Sequence, residues 1–193
     1  MSDDHRHKRG NEEDYFHKQD LELLERLRKA AAADRAHKEL GERSGLRDPE
    51  LLKDLEDLGF TPDTLKLLPL VPVLHVAWAE GSVSPEERKL IVDLARRRDI
   101  AEGSAADRQL KAWLAHKPPQ NVFMRGGRII MAMIAAGSPE IRDLSPDDLM
   151  KYCESIAAAS GGILGLGKVS AEERAALAQI QALLKAPNLM PDR

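Results

Sequence analysis

The sequence predicts an all-α protein, and three observations support this prediction. Hydrophobic residues make up 42% of the chain but aromatic residues only 4%, with many of the Ala, Leu, Glu, Arg and Lys residues that favour helices. Apolar residues recur at helical spacing, and we find no alternating apolar run bounded by turns that would indicate a strand. Helix-start signals recur, the clearest being Ser84-Pro85-Glu86-Glu87, a serine cap with proline at the first helical position and a capping-box glutamate.

Composition excludes several classes of protein. The chain has 193 residues, which suits one domain or one domain with an appendage. A net charge of −3 gives no general attraction to nucleic acid or membranes. The single Cys153 excludes an intrachain disulfide and a cysteine zinc cluster, and its helical surroundings predict an inert buried thiol. The charged N-terminus does not have the pattern of a secretory signal, and no apolar run reaches the roughly 18–20 residues that span a bilayer. We therefore expect a cytoplasmic protein that is not transmembrane.

The N-terminal part predicts a polar, disordered tail over residues 1–10 and one long charged helix over 11–45. Its narrow apolar face suits a helix that offers Tyr15, Phe16, Leu23 and Leu27 to a groove on a protein partner. Packing on its own domain and self-association are the alternatives. The stretch "EEDYFHKQDLELLERLRK" is similar to the Glu-Glu-x-Tyr-Phe…Glu-x-Leu-x-x-Leu segment of the mitochondrial ATP synthase inhibitor protein.

Residues 46–187 predict a compact helical domain, followed by a short tail over 188–193. Asp48-Pro49-Glu50 opens its first helix, and Pro69 should end or kink the next segment before a buried central helix resumes near Pro72. A helix from Ser84 should run to about Arg98. Further helices are expected near 104–116, 121–136, 146–160 and 171–186.

Two segments of this domain echo each other. "AWAEGSVSPEER" (77–88) and "AASGG…GKVSAEER" (158–174) share an Ala-rich helix end, a glycine, and Val-Ser-x-Glu-Glu-Arg. The second copy has a longer, glycine-rich loop. The echo predicts two helical hairpins related by a pseudo-repeat.

Within the second copy, Gly162 to Lys168 spells the G-x-x-x-x-G-K of a phosphate-binding loop. Such a loop requires a preceding strand and a Ser or Thr after the lysine to hold Mg²⁺. Here the preceding segment is helical and Val169 follows the lysine. We therefore interpret the glycines as a helix stop and a turn. Ile163 and Leu164 should then plug into the core or, if exposed, contact a partner.

The loop of the first copy brings Glu80 and Glu87 around a turn, an arrangement that can hold Ca²⁺ or Mg²⁺. The alternative is that Glu87 closes a capping box and Glu80 is a surface carboxylate. His75 is interpreted as a core residue, because no nucleophile or paired carboxylate accompanies it. Arg125-Gly126-Gly127-Arg128 could bind an anion or mark a close helix crossing.

Both copies resemble parts of TerB-like domains, the tellurite-resistance family of bacterial proteins. "LLPLVPVLHVAWAEGSVSPEERKLIVDLARRRDI" resembles the first half, and "CESIAAASGGILGLGKVSAEERAALAQI" the closing half of a subgroup; together they cover about residues 62–186. The resemblance implies a compact bundle of about seven helices with two pseudo-repeated hairpins. It also implies metal binding at the positions of Glu80, Glu87 and Glu173, although Glu80 replaces the family's Asp and Ser160 replaces the acidic residue of the second copy.

The resemblance further implies a component of a stress-response or membrane-associated complex, not an enzyme. The leading hypothesis is a protein-interaction module, modulated by a divalent cation and able to reach membranes peripherally through a membrane-protein partner. The alternative is a metal-binding stress sensor that uses the acidic residues of the helix loops.

Overall fold

A computed structural model describes residues 4–159 and 169–185 of the chain, and side chains from residue 17 onwards within those ranges. These residues form eight α-helices and two short 3₁₀ helices and contain no strand, which confirms the predicted all-α class. Seven α-helices follow one long N-terminal helix, as expected for a bundle of about seven helices.

The first helix, α1, covers Asp4–Ser44 and so begins ahead of the predicted start at residue 11. The chain divides into two units within this helix, residues 1–39 and 40–193. The second unit therefore begins six residues before the predicted domain start at 46. In the first unit, every described side chain, from residue 17 to 39, is exposed.

The last turn of α1 is part of the core of the second unit. Leu40 is only 1% exposed, and Ser44 is fully buried. Arg43 Nε donates to Glu140 Oε1 at 2.8 Å. The hydroxyl of Ser138 donates to the carbonyl of Arg43 at 3.1 Å. These contacts fix the end of α1 against residues 138–140.

Proline and capping residues set the next elements. Asp48 caps α2 (Pro49–Asp57) by accepting a hydrogen bond from the Glu50 amide at 2.9 Å. A 3₁₀ helix over Leu65–Leu70 contains Pro69, and α3 (Val71–Ala77) then begins with proline in its first turn. The expected interruption at Pro69 is thus a 3₁₀ segment, since proline has no amide to donate and its ring would clash with the carbonyl four residues earlier in an α-helix. Six of the seven residues of α3 are buried, so it is the predicted central helix.

The remaining helices lie close to the predicted ranges. They are α4 (Pro85–Arg97), α5 (Ala105–Ala115), α6 (Gln120–Ala135), α7 (Pro146–Ala159) and α8 (Ala171–Lys185), with a 3₁₀ turn at Pro139–Ile141 between α6 and α7.

The two echoing segments form two hairpins, α3–α4 and α7–α8, packed against each other. Helix α3 lies against α7 as the central pair. The outer contacts are reciprocal, because α3 also packs on α8 while α4 packs on α7. Two equivalent hairpins related by a pseudo-twofold axis would produce this pattern of contacts. The pattern therefore supports the repeat inferred from the sequence.

Two glycines allow α6 to approach its neighbours. A Cβ placed on Gly126 would lie 2.9 Å from Cγ1 of Val71, and one on Gly127 would lie 3.0 Å from Cδ1 of Leu183. At Gly126 the contact is shorter than real Cβ atoms show, and at Gly127 the Leu183 tip would have to shift, so both glycines lie where α6 crosses its neighbours closely. The flanking arginines pair with Asp54: Arg125 Nη1 lies 3.1 Å from Oδ1, and Arg128 also bonds this carboxylate.

Candidate functional site

The exposed part of α1 carries an apolar cluster that we call the leucine patch: Leu21, Leu23, Leu24 and Leu27. These side chains are 49%, 55%, 48% and 58% exposed. Since successive helical residues are about 100° apart, Leu23, Leu24 and Leu27 fall within an arc of about 100°, and Leu21 widens it to about 160°. The patch is therefore one continuous apolar surface about two turns long.

The sequence-predicted contact residues agree with the leucine patch only in part. Leu23 and Leu27 are placed there, and the i, i+3 spacing of Leu21, Leu24 and Leu27 was the signal for the two further members. The side chains of Tyr15 and Phe16 lie outside the described residues. Ile163 and Leu164, with the whole 160–168 loop, lie outside them as well, so their roles stay predictions.

A second candidate region is the start of α4, where Glu87 closes a complete capping box. The Ser84 amide donates to Glu87 Oε2 at 2.8 Å, and the Glu87 amide donates to Ser84 Oγ at 3.2 Å. The Glu87 side chain is only 3% exposed. Glu87 therefore closes a capping box, which the sequence analysis gave as the alternative to a metal-binding role for this residue.

The start of α8 repeats this arrangement. The Ser170 amide donates to Glu173 Oε2 at 2.8 Å, and the Glu173 amide donates to Ser170 Oγ at 3.1 Å. Glu173 is 1% exposed. The two hairpins thus place equivalent glutamates, each buried and each bound to a serine one turn earlier.

These two glutamates interact electrostatically. Burial raises the pKa of Glu87 above its usual range, hydrogen bonds from Ser84 oppose the rise, and the negative charges of Glu173 and Glu80 add to it. Glu80 itself is exposed in the α3–α4 loop. The structure therefore places Glu80 and Glu173 within electrostatic reach of Glu87. In residues 4–159 and 169–185, however, no three His, Cys, Asp or Glu side chains are grouped so that they could hold a metal ion.

The α3–α4 loop is tied to the end of α5. Trp78 Nε1 donates to the Trp113 carbonyl at 2.9 Å, and Arg88 Nη2 donates to the Leu114 carbonyl at 2.8 Å. Lys117 Nζ donates to the Trp78 carbonyl at 3.3 Å. Three side-chain bonds to backbone carbonyls therefore hold this loop against the end of α5.

His75 and Cys153 have the structural surroundings expected from the sequence. The His75 ring stacks on Phe123 with centroids 4.8 Å apart, and burial, with the charge of Lys117, lowers the pKa of the imidazole. Cys153 is fully buried, and burial raises the pKa of its thiol to about 12. At neutral pH the imidazole is therefore uncharged and the thiol is protonated.

Asp107 is a strongly held buried carboxylate that the sequence analysis did not single out. It accepts from the Gly103 amide at 2.9 Å, and it contacts Lys111 Nζ at 2.9 Å and Arg96 Nη2 at 2.5 Å. Together these partners hold its pKa well below the usual range. The signal was present, since Ser104-x-x-Asp107 has the spacing of the other caps, and the Ser104 hydroxyl accepts from the Asp107 amide at 3.1 Å.

No family model, curated protein or solved structure gives a significant match to this chain. Among the described residues, no helix combines the length and apolar character needed to cross a bilayer.

Proposed function

We propose that this chain is a non-enzymatic protein-interaction module in which the leucine patch on α1 is the contact surface. One observation supports the proposal above the others: every described side chain from residue 17 to 39 is exposed, including four leucines that are each about half exposed. Contiguous exposed apolar surface of this kind is typical of protein contact sites.

The energetics of an isolated helix support the same proposal. Most helical stability in proteins comes from burying an apolar face against other elements. About half of each patch side chain remains exposed in the chain alone. A partner that covers the patch would supply about 1.5–3 kcal/mol for each leucine that becomes fully buried, and less for partial burial.

For the second unit we propose a TerB-like assignment, in a cytoplasmic stress-response complex or one associated with a membrane protein. The resemblance of the two motif-bearing segments supports it, as do the reciprocal contacts between the hairpins that contain them. On this proposal the bundle is a rigid scaffold, and the tellurite label of the family is a name for the resemblance.

The test is photo-crosslinking of the full chain in the cells from which it comes, followed by mass spectrometry. A photo-crosslinking residue is placed at position 21, in place of the exposed Leu21. Three proteins carry it: the otherwise unchanged chain, the double variant Leu23→Ala with Leu27→Ala, and the variant Leu90→Ala. Leu90 is a matched control, because it is 40% exposed but lies on α4. We expect a crosslinked protein that is lost only in the double variant. The same crosslinks in all three would contradict the proposal.

A second candidate is a divalent cation, Ca²⁺ or Mg²⁺, bound near Glu80, Glu87 and Glu173. The observation that favours it is that the negative charges of Glu173 and Glu80 add to the effect of burial in raising the pKa of Glu87, and a cation would relieve this repulsion. The test is thermal unfolding in EDTA and then with each cation. At about one hundred times its dissociation constant a ligand adds roughly 2.7 kcal/mol. This should raise the midpoint by roughly 5–10 °C in a chain of this size. Unchanged midpoints, or a shift retained by Glu87→Gln, would exclude this site.

A further inference from the structure

We infer that the partner of the leucine patch is a second copy of this chain, paired antiparallel along α1. The inference rests on the proposed function, because it names the occupant of the same surface. The evidence for it is the distribution of charge on both sides of the leucine patch. The sequence gives the charged residues, and the α1 helix gives their spacing along its axis.

Within residues 12–38 of α1, charge is divided into two blocks of opposite sign. Residues 12–25 contain six acidic residues and one lysine, whereas residues 26–38 contain five basic residues and one aspartate. All of these lie on one continuous helix, so each block occupies about 20 Å of its length. The sign changes between Glu25 and Arg26, in the middle of the helix.

The leucine patch lies at this junction. Its members run from residue 21 to 27, and their midpoint is residue 24, next to the change of sign. A twofold axis through the junction would place leucines on leucines and, at the same time, each acidic block beside the basic block of the other copy. The surface is therefore complementary to itself in the antiparallel sense. An unrelated partner would not require the apolar residues to be centred on the charge junction.

A parallel pairing in register has the opposite consequence. It would place acidic block beside acidic block and basic beside basic, and like charges across a helical interface repel. The helix dipole favours acidic residues near the N-terminus and basic residues near the C-terminus, but only within the first and last turns. It therefore does not explain a sign change at mid-helix.

The first experiment is sedimentation of the purified full chain at rising concentration, up to about 200 µM, in roughly 50 mM salt. We expect the mass to rise from 21.4 kDa towards twice that value. Leu23→Ala with Leu27→Ala should weaken dimerisation roughly tenfold or more, and Leu90→Ala should leave it unchanged. Circular dichroism of each variant shows whether the helices remain formed.

Charge reversal tests the orientation. Replacing Glu22 and Glu25 with Arg should weaken an antiparallel dimer by roughly tenfold or more at low salt, because the acidic block is largely neutralised. In a parallel dimer the same change would relieve repulsion and tighten binding. Mixing this variant with Arg26→Glu, Arg28→Glu should restore dimerisation in the mixture. Tighter self-association of the first variant would overturn the antiparallel inference.

A distance measurement gives an independent readout of orientation. Spin labels on Ala33→Cys should lie at least about 25 Å apart in an antiparallel pair centred near residue 24, compared with roughly 10–15 Å in a parallel pair. The native Cys153 is fully buried and should not take up the label.

The outcomes for the two proposals are separable. A wild-type chain that stays monomeric at about 200 µM overturns self-pairing. If crosslinking in cells still depends on the leucines and captures another protein, the interaction function stands without self-pairing. If the chain stays monomeric and no crosslink depends on the leucines, both proposals fail.

Discussion

Glu87 and Glu173 occupy the third position of two different helices, and their carboxylates are near enough for the charge of one to act on the other. Burial is the largest cause of the raised pKa of Glu87, and the negative charges of Glu173 and Glu80 raise it further. Each carboxylate also accepts a backbone hydrogen bond from the serine that caps its helix. Helix capping and electrostatic repulsion therefore meet at the junction of the two hairpins.

The pH dependence of stability should change in Glu87→Gln. A raised pKa means that the folded state holds a proton more tightly than the unfolded state, so this group makes stability fall as pH rises from about 4.3 through the folded pKa. Glutamine lacks this titration and can still accept the Ser84 hydrogen bond. We expect thermal midpoints between about pH 4.5 and 7 to decline less in the variant.

Glu86→Gln is the matched control, since Glu86 lies in the same helical turn but is exposed. Its midpoints should follow the wild type across the range. If the thermal midpoints of Glu87→Gln and the wild type changed identically with pH, ionisation of Glu87 would not be a cause of the fall in stability.

Asp107→Asn should destabilise the chain at neutral pH. The change removes a negative charge that the Gly103 amide, Lys111 and Arg96 all stabilise, and it leaves a buried amide among cationic donors. Because the pKa of Asp107 is lowered, its stabilisation is present above the ordinary carboxyl pKa and is lost as pH falls towards the folded value. Urea unfolding at pH 7 and below pH 4 measures both effects.

Asp148→Asn is the comparison for this prediction. Asp148 occupies the equivalent position of α7, but it is half-buried and its main partner is Ser145. We expect a smaller loss of stability than for Asp107→Asn. Equal losses would mean that the capping bond, and not the cationic partners, carries the effect.

Gly126→Ala and Gly127→Ala should differ in sign. Alanine gains about 1 kcal/mol of helix propensity over glycine. At Gly126 the new methyl meets Val71, a branched residue only 1% exposed, and such overpacking costs about 1–3 kcal/mol. At Gly127 it meets the tip of Leu183, which is 39% exposed and can move aside.

We therefore expect Gly126→Ala to lower the free energy of unfolding by about 1 kcal/mol and Gly127→Ala to leave it unchanged or raise it. Chemical denaturation of both variants measures the difference. A stabilising Gly126→Ala would show that α3 and α6 can separate without loss.

Deletion of residues 1–39 should leave the unfolding of the second unit unchanged, whereas deletion of 1–45 should not. The longer deletion removes Leu40, which is 1% exposed, and the Arg43 bond to Glu140. Loss of one such leucine costs about 2–5 kcal/mol, which should lower the midpoint by at least about 5 °C. Equal midpoints for the two deletions would place the domain start at residue 46, as the sequence predicted.

The sequence by itself determined the helical class and most helix bounds, because these depend on local signals. Ser84-Pro85, the proline at 69 and the Ser-x-x-acid spacing act within a single turn of helix, so they can be interpreted without knowledge of the neighbours. The echo at Glu87 and Glu173 likewise predicted two similar hairpins.

Only the tertiary structure decided which of the open alternatives held at each position. The sequence allowed Gly126 and Gly127 to mark an anion site or a helix crossing, and the short approaches to Val71 and Leu183 show the crossing. It could not place the unit boundary at Leu40, because burial of that residue depends on elements far along the chain. The repulsion between Glu87 and Glu173 also required the fold, since residues 86 positions apart interact only when two hairpins pack against each other.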